Sequence, residues 1–273
     1  MSIFEAVILG VVQGLTEFLP ISSSGHLRVV PALAGWDDPG ASFTAVIQLG
    51  TMAAVVIFFW KDLVRVGLAW LRSLGDKSLR RTHDALMGWY LIVATVPIAI
   101  IGFAFRDVIR SGARDLRLIA STLIIGGLVL AVADRIARRT KDIDQIGTRD
   151  GVTIGLAQTF ALIPGVSRSG STITAGLFLG YTREAAARFS FLLSVPAVVL
   201  SGLFSLKDLG AGDGVGLAPT LVATVVSFVV GYAAIAWLLR WLADHSLLIF
   251  VVYRVGLGLL LFGLLAAGTI EAR

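Results

Sequence analysis

The chain has 273 residues, of which 56% are hydrophobic and only 15% charged, where soluble domains carry roughly 25% charge. With a mean hydropathy of +0.87, this excludes a soluble globular domain and predicts an all-α polytopic membrane protein. Lack of cysteine excludes disulfide and thiol chemistry, and three histidines without cysteine argue against a zinc site.

In chain order, Met1–Glu5 has no basic n-region, so no signal peptide is predicted. The first apolar stretch, Gly10–Arg28, is broken at Pro20 and followed by Ser22, Ser23, Ser24, Gly25 and His26. Its halves are too short to cross a bilayer, and irregular backbone at membrane depth is tolerated only inside protein or beside water. A re-entrant helical hairpin is therefore predicted. Uncharged runs of 22 residues between Asp38 and Lys61, 21 between Asp84 and Arg106, and 16 between Arg117 and Asp134 follow. At about 1.5 Å per residue, about 20 residues reach across a hydrocarbon core of about 30 Å, so the shortest run must borrow flanking residues. Gly155–Thr174 repeats the broken pattern around Pro164-Gly165. Runs of 18 residues between Arg188 and Lys207 and 26 between Asp213 and Arg240, and an apolar region over about 246–270, complete six predicted spans.

The two broken stretches are related. An offset of 145 residues places Gly10 on Gly155, Gln13 on Gln158, Ser22 on Ser167, Ser24 on Ser169 and Gly25 on Gly170. An offset of 146 places Phe43 on Phe189, Phe58 on Phe204, and Lys61-Asp62-Leu63 on Lys207-Asp208-Leu209. A single membrane domain over 1–273 is expected, with repeats over about 1–140 and 150–273, each one hairpin plus three spans. Three is odd, so the repeats are expected to run in opposite directions and to build a midplane site from broken helices. The loops over 61–84, 134–150 and 240–247 hold twelve basic residues, against six on the other side (Arg106, Arg110, Arg114, Arg117, Lys207 and Arg273). That bias puts both termini outside. The net charge of +5 is thus an orienting signal, and no nucleic-acid partner is expected.

Chemistry is concentrated in the two breaks. Gln13 and Glu17 are four apart and share a helix face. A carboxylate among Leu15, Phe18 and Leu19 is costly unless it holds a cation, acts as a base or pairs with an arginine such as Arg28 or Arg168. The serine cluster at the start of a half-helix offers caps, hydroxyls and free N–H groups for an anion. His26 is the only histidine inside an apolar stretch; a neutral imidazole there serves as base or nucleophile. At neutral pH it is the better nucleophile, which favours it over Ser23. In the second break, Arg168 lies among Ser167, Ser169, Gly170 and Thr172, and its planar fork matches two phosphate oxygens. Arg188 and Arg254 are weaker candidates, for lining a cavity, snorkelling or pairing with an acid.

At these motifs the sequence resembles the bacterial undecaprenyl-pyrophosphate phosphatase family, the bacitracin-resistance type of integral membrane phosphatase. Gln13 and Glu17 match its paired acidic positions; Pro20, Ser22, Ser23, Gly25 and His26 match the segment after them. Pro164, Gly165, Ser167, Arg168, Ser169 and Thr172 match its PGxSRSxxT signature. The resemblance implies hydrolysis of undecaprenyl pyrophosphate to the monophosphate, recycling the lipid carrier of peptidoglycan synthesis. It also implies a bacterial inner-membrane location with the site towards the periplasm, and a divalent cation, Mg2+ or Ca2+. On that reading Glu17, His26, Ser23 and Arg168 are the catalytic group. Gln13, Ser22, Ser24, Gly25, Ser167, Ser169, Gly170 and Thr172 bind substrate. Glu17 and Gln13 hold the metal, although Gln13, an allowed variant at its position, is a neutral amide and a weaker ligand than a carboxylate. The rival expectation is an inverted-repeat transporter or flippase for an anionic isoprenoid lipid. The nucleophile (His26, Ser23 or water) and the oligomeric state, a homodimer being one option, stay open at this level.

Overall fold

A computed structural model describes residues 1–105, 115–205 and 215–272. Arg106, Arg110, Arg114, the Lys207-Asp208-Leu209 repeat match and Arg273 lie outside the described residues. The described chain is built of α-helices and short 3-10 turns, with one isolated bridge between Lys141 and Tyr181. The first break separates α1 (Ile3–Phe18) from α2 (Ser23–Ala34), and the second separates α7 (Thr148–Gln158) from α8 (Arg168–Phe178). Sixteen, twelve, eleven and eleven residues at about 1.5 Å each leave every one of these helices short of a bilayer's width.

Helices occupy all six predicted spans: α3 (Gly40–Phe58), α5 (His83–Ala104), α6 (Leu116–Ile136), α9 (Arg183–Ser205), α10 (Leu217–Asp244) and α11 (Leu248–Ala266). Among the described residues, α5, α6, α10 and α11 are by themselves long and apolar enough to cross a membrane. A further helix, α4 (Trp60–Gly75), lies where the sequence indicated only a loop, bent 76° from α3. Lys61, Asp62, Arg65 and Arg72 fall on one helix face and Leu63, Trp70, Leu71 and Leu74 on the other, an amphipathic pattern too charged for a span yet regular enough for a helix.

The outer faces of the long helices are apolar: Ile125, Val132, Val225, Val229 and Leu259 are all exposed. Gln13, Glu17, His26, Gln158, Ser169, Thr172, Ser190 and Arg254 are instead buried. Apolar outside and polar inside is the arrangement of a bundle solvated by lipid around a functional interior. Packing places α1 against α10, α10 against α3, α11 against α6, and α9 against both α8 and α3. Phe18 of α1 meets Phe191 of α9 edge-on at 5.4 Å beside the first break. At one end of the bundle Asp134 takes Arg183 Nε at 2.6 Å and Nη2 at 3.1 Å, and accepts the Leu247 amide at 3.2 Å. One carboxylate thus ties the end of α6 to the starts of α9 and α11.

Close helix contact in lipid relies on small residues. At Gly50 of α3 an added Cβ would lie 2.2 Å from both Ser227 Oγ and the Thr224 carbonyl oxygen of α10. Gly50→Ala is expected to force those helices apart and destabilise the protein by about 1–3 kcal/mol. A lowered thermal midpoint in detergent checks this; an unchanged midpoint would show that the α3–α10 contact has slack.

Candidate active site

Each break is held by the same local device. Ser22 and Ser167 are N-caps of α2 and α8 with φ of 78° and 76°. Their Oγ atoms accept from the Gly25 and Gly170 amides at 3.3 and 3.0 Å. Left-handed backbone is unfavourable for serine, costing of order 1–3 kcal/mol, but glycine would relieve it only by losing the cap. In both breaks the cap hydroxyl also contacts the serine two residues on, Ser24 at 3.4 Å and Ser169 at 3.1 Å. The device turns the chain sharply at the break, with Ser23 and Arg168 the first residues of the following half-helices.

The breaks meet. Ser169 Oγ donates to the Leu19 carbonyl at 2.9 Å, joining residues 150 apart. Beside that contact lies the central cluster. Glu17 Oε1 accepts Arg168 Nη2 at 3.0 Å, and Glu17 Oε2 accepts Ser23 Oγ at 2.6 Å and Gln13 Nε2 at 3.1 Å. Gln13 Nε2 also reaches Thr51 Oγ1 at 3.3 Å. Glu17 therefore pairs with Arg168, whereas Arg28 faces Asp38 at 3.6 Å. Two polar atoms of the cluster, Arg168 Nη1 and Gln13 Oε1, are buried without a protein partner. A donor fork with one free tooth beside a carboxylate and an open amide oxygen is a set that an oxyanion and its counter-cation can complete.

Among the described residues no three His, Asp or Glu side chains converge, so a cation held here would take most of its ligands from water and substrate oxygens. Mg2+ in phosphate sites is held in that way, by one or two carboxylates plus phosphate oxygens. Glu17 and the unpartnered Gln13 Oε1 fit it.

Other predicted residues are placed differently. His26 is buried, with Nδ1 2.7 Å from the Ser22 carbonyl and Nε2 2.7 Å from Tyr253 Oη. A carbonyl only accepts, so Nδ1 carries a proton, and in the neutral ring Nε2 accepts from Tyr253. Thr172 Oγ1 donates to the Arg168 carbonyl at 2.8 Å and shares a hydrogen bond with Ser190 Oγ at 2.7 Å. Ser169 and Thr172 thus spend their hydroxyls on the protein, while Ser24 is exposed. Arg188 lies on Asp62 at 3.2 Å. Tyr253, Thr51 and Ser190 were not singled out from sequence; each lies in an apolar helix with no local motif, and only Tyr253, next to Arg254, had a polar neighbour to mark it.

The chain matches the family described as bacitracin resistance protein BacA over residues 6–260. It is 58% identical over 269 residues to an undecaprenyl-diphosphatase of Nocardioides sp., covering 98% of each chain. It is 53% identical over 270 residues to an undecaprenyl-diphosphatase of Thermobifida fusca, covering 99% of this chain and 92% of that one. It is 51% identical over 283 residues to undecaprenyl-diphosphatase 2 of Streptomyces coelicolor, covering 99% and 97%.

Proposed function

The chain belongs to the bacitracin resistance protein BacA family, and on that premise we infer that it is a membrane phosphatase hydrolysing undecaprenyl diphosphate to undecaprenyl phosphate and inorganic phosphate. The observation that carries a mechanism is the 2.6 Å hydrogen bond from Ser23 Oγ to Glu17 Oε2, with Arg168 on the other carboxylate oxygen. A hydroxyl aimed at a buried carboxylate is an activated nucleophile, more chemistry than binding or carrying a head group requires.

In the proposed sequence Ser23 Oγ gives its proton to Glu17 and bonds to the terminal phosphorus. The bridging P–O bond breaks, and the lipid monophosphate leaves with the bridging oxygen. Glu17 passes its proton to the departing phosphate and becomes a base again. It then takes a proton from water, whose oxygen bonds to phosphorus as the P–Oγ bond breaks. Ser23 Oγ recovers that proton, and inorganic phosphate is released. Arg168 neutralises the oxyanion through its free Nη1. Ser23 is preferred to His26 as nucleophile because both imidazole nitrogens are engaged. In this reading His26 holds the Ser22 carbonyl, and with it the backbone that presents Ser23. Gln13 and Glu17 would hold Mg2+ or Ca2+, which when bound neutralises pyrophosphate charge.

The two breaks carry the same caps in the same order, which supports a repeat, and the three apolar runs predicted in each half would make its copies run in opposite directions. The basic bias of the loops predicted from sequence puts both termini outside, and a site open to the periplasmic side of a bacterial inner membrane is what the resemblance to the lipid-pyrophosphate phosphatases supports. Lipid-carrier recycling for peptidoglycan synthesis is the role such a site would serve.

Purified protein in detergent is expected to release one phosphate per long-chain prenyl diphosphate and none from the monophosphate, with a large fall on chelation restored by Mg2+ or Ca2+. Release of the second phosphate would overturn the diphosphatase reading, and indifference to chelator would remove the cation from it.

A further inference from the structure

Arg254, in the second turn of α11, is 1% exposed, and among the described residues no carboxylate lies within ion-pair distance of it. Its guanidinium is satisfied by backbone carbonyls alone. Nε donates to Leu123 at 3.2 Å and Nη1 to Pro20 at 3.0 Å. Nη2 is shared among Thr122, Gly165 and Val166 at 3.2, 3.3 and 3.0 Å. Pro20 lies three residues before Ser23, and Gly165 lies three before Arg168. One rigid fork thus grips the backbone leading to the nucleophile and the backbone leading to the clamp.

The space for it is specific. A Cβ at Gly126 would come 2.2 Å from Arg254 Nη2, and one at Gly170 2.9 Å from Nη1. Counted from Leu116 and Leu248, Thr122 and Arg254 are each the seventh residue of their helices. Thr122 Oγ1 caps the Pro164 carbonyl at 2.6 Å, as Arg254 caps that of Pro20. Each proline carbonyl of the two breaks is therefore held by the same position of α6 or α11. An arginine buried at membrane depth is costly and is by default a functional group; here its partners say what it acts on.

We propose that Arg254 is a positioning residue for the reaction, locking the two breaks in register so that Arg168 meets Glu17 and Ser23. The inference rests on the roles given above to those three residues. Its test is a double-mutant cycle in kcat/KM with Arg254→Lys, Arg168→Lys and both together, on protein shown monodisperse and folded in detergent. A lysine at 254 reaches one or two carbonyls but cannot span both breaks. Arg254→Lys alone is expected to lose about 30-fold, and less than about threefold when Arg168 is already lysine, because residues acting through one network are not additive. A merely structural role lowers the active fraction equally in both backgrounds, so equal losses would overturn the proposal. If Arg254→Lys does not fold, Gly126→Ala carries the same cycle, since it keeps the guanidinium, favours the helix and displaces Nη2. Little loss from Arg168→Lys itself would instead defeat the clamp reading on which the inference stands.

Discussion

Arg168→Lys is expected to lose about 100- to 1,000-fold in kcat, the range for removing a directed donor from a developing oxyanion, while the protein stays folded. Arg168 Nη2 is committed to Glu17 at 3.0 Å, and Nη1 lies buried without a protein partner. The guanidinium therefore has one arm to hold the base and another for phosphate. An ammonium keeps the charge, so the buried carboxylate remains compensated, but as a point charge it cannot do both tasks in fixed geometry. Phosphate release at saturating prenyl diphosphate measures the loss, and a thermal melt in detergent checks the fold. Activity near that of the unaltered protein would mean that positive charge alone suffices, and the two-armed role would be wrong.

Ser23→Ala and Glu17→Gln are each expected to lose at least about 1,000-fold, and the double variant hardly more, since a nucleophile and its base act as a unit. The 2.6 Å contact between them is the reason: without the carboxylate the hydroxyl keeps its proton, and without the hydroxyl the base has nothing to activate. Rapid quench with substrate labelled in the terminal phosphate should trap a phosphoenzyme stable to acid, as a seryl phosphate is. An acid-labile, base-stable adduct would instead assign the attack to His26 and require Tyr253 to vacate Nε2 first. A Ser23→Ala variant that kept most of its turnover would dismiss the serine altogether. His26→Ala is expected to be the milder change, because it loosens the Ser22 carbonyl without removing a reacting atom.

Apolar run length and the positions of proline, glycine and serine are properties of the chain in one dimension, and from them the bundle could be read. The run between Asp84 and Arg106 became α5, and that between Arg117 and Asp134 became α6, extended at both ends by the flanking residues it had to borrow. Pro20 and Pro164-Gly165 lie in the breaks between α1 and α2 and between α7 and α8. The repeated serines also pointed to their shared task, since Ser22 and Ser167 take the same backbone conformation and make the same cap. Partner choice was different. From sequence Glu17 could pair with Arg28, eleven residues on, or with Arg168, 151 residues away. The fold gave it Arg168 and left Arg28 to Asp38. His26 found Tyr253, 227 residues away, and so lost the free nitrogen that made it look like the nucleophile. Arg254 showed as a lone cation in an apolar helix, and only the meeting of α11, α6 and both breaks supplied its five carbonyls. A hydrogen bond is decided within a few tenths of an ångström by where separate elements come to rest, and spacing along the chain carries no information at that scale between residues on different helices.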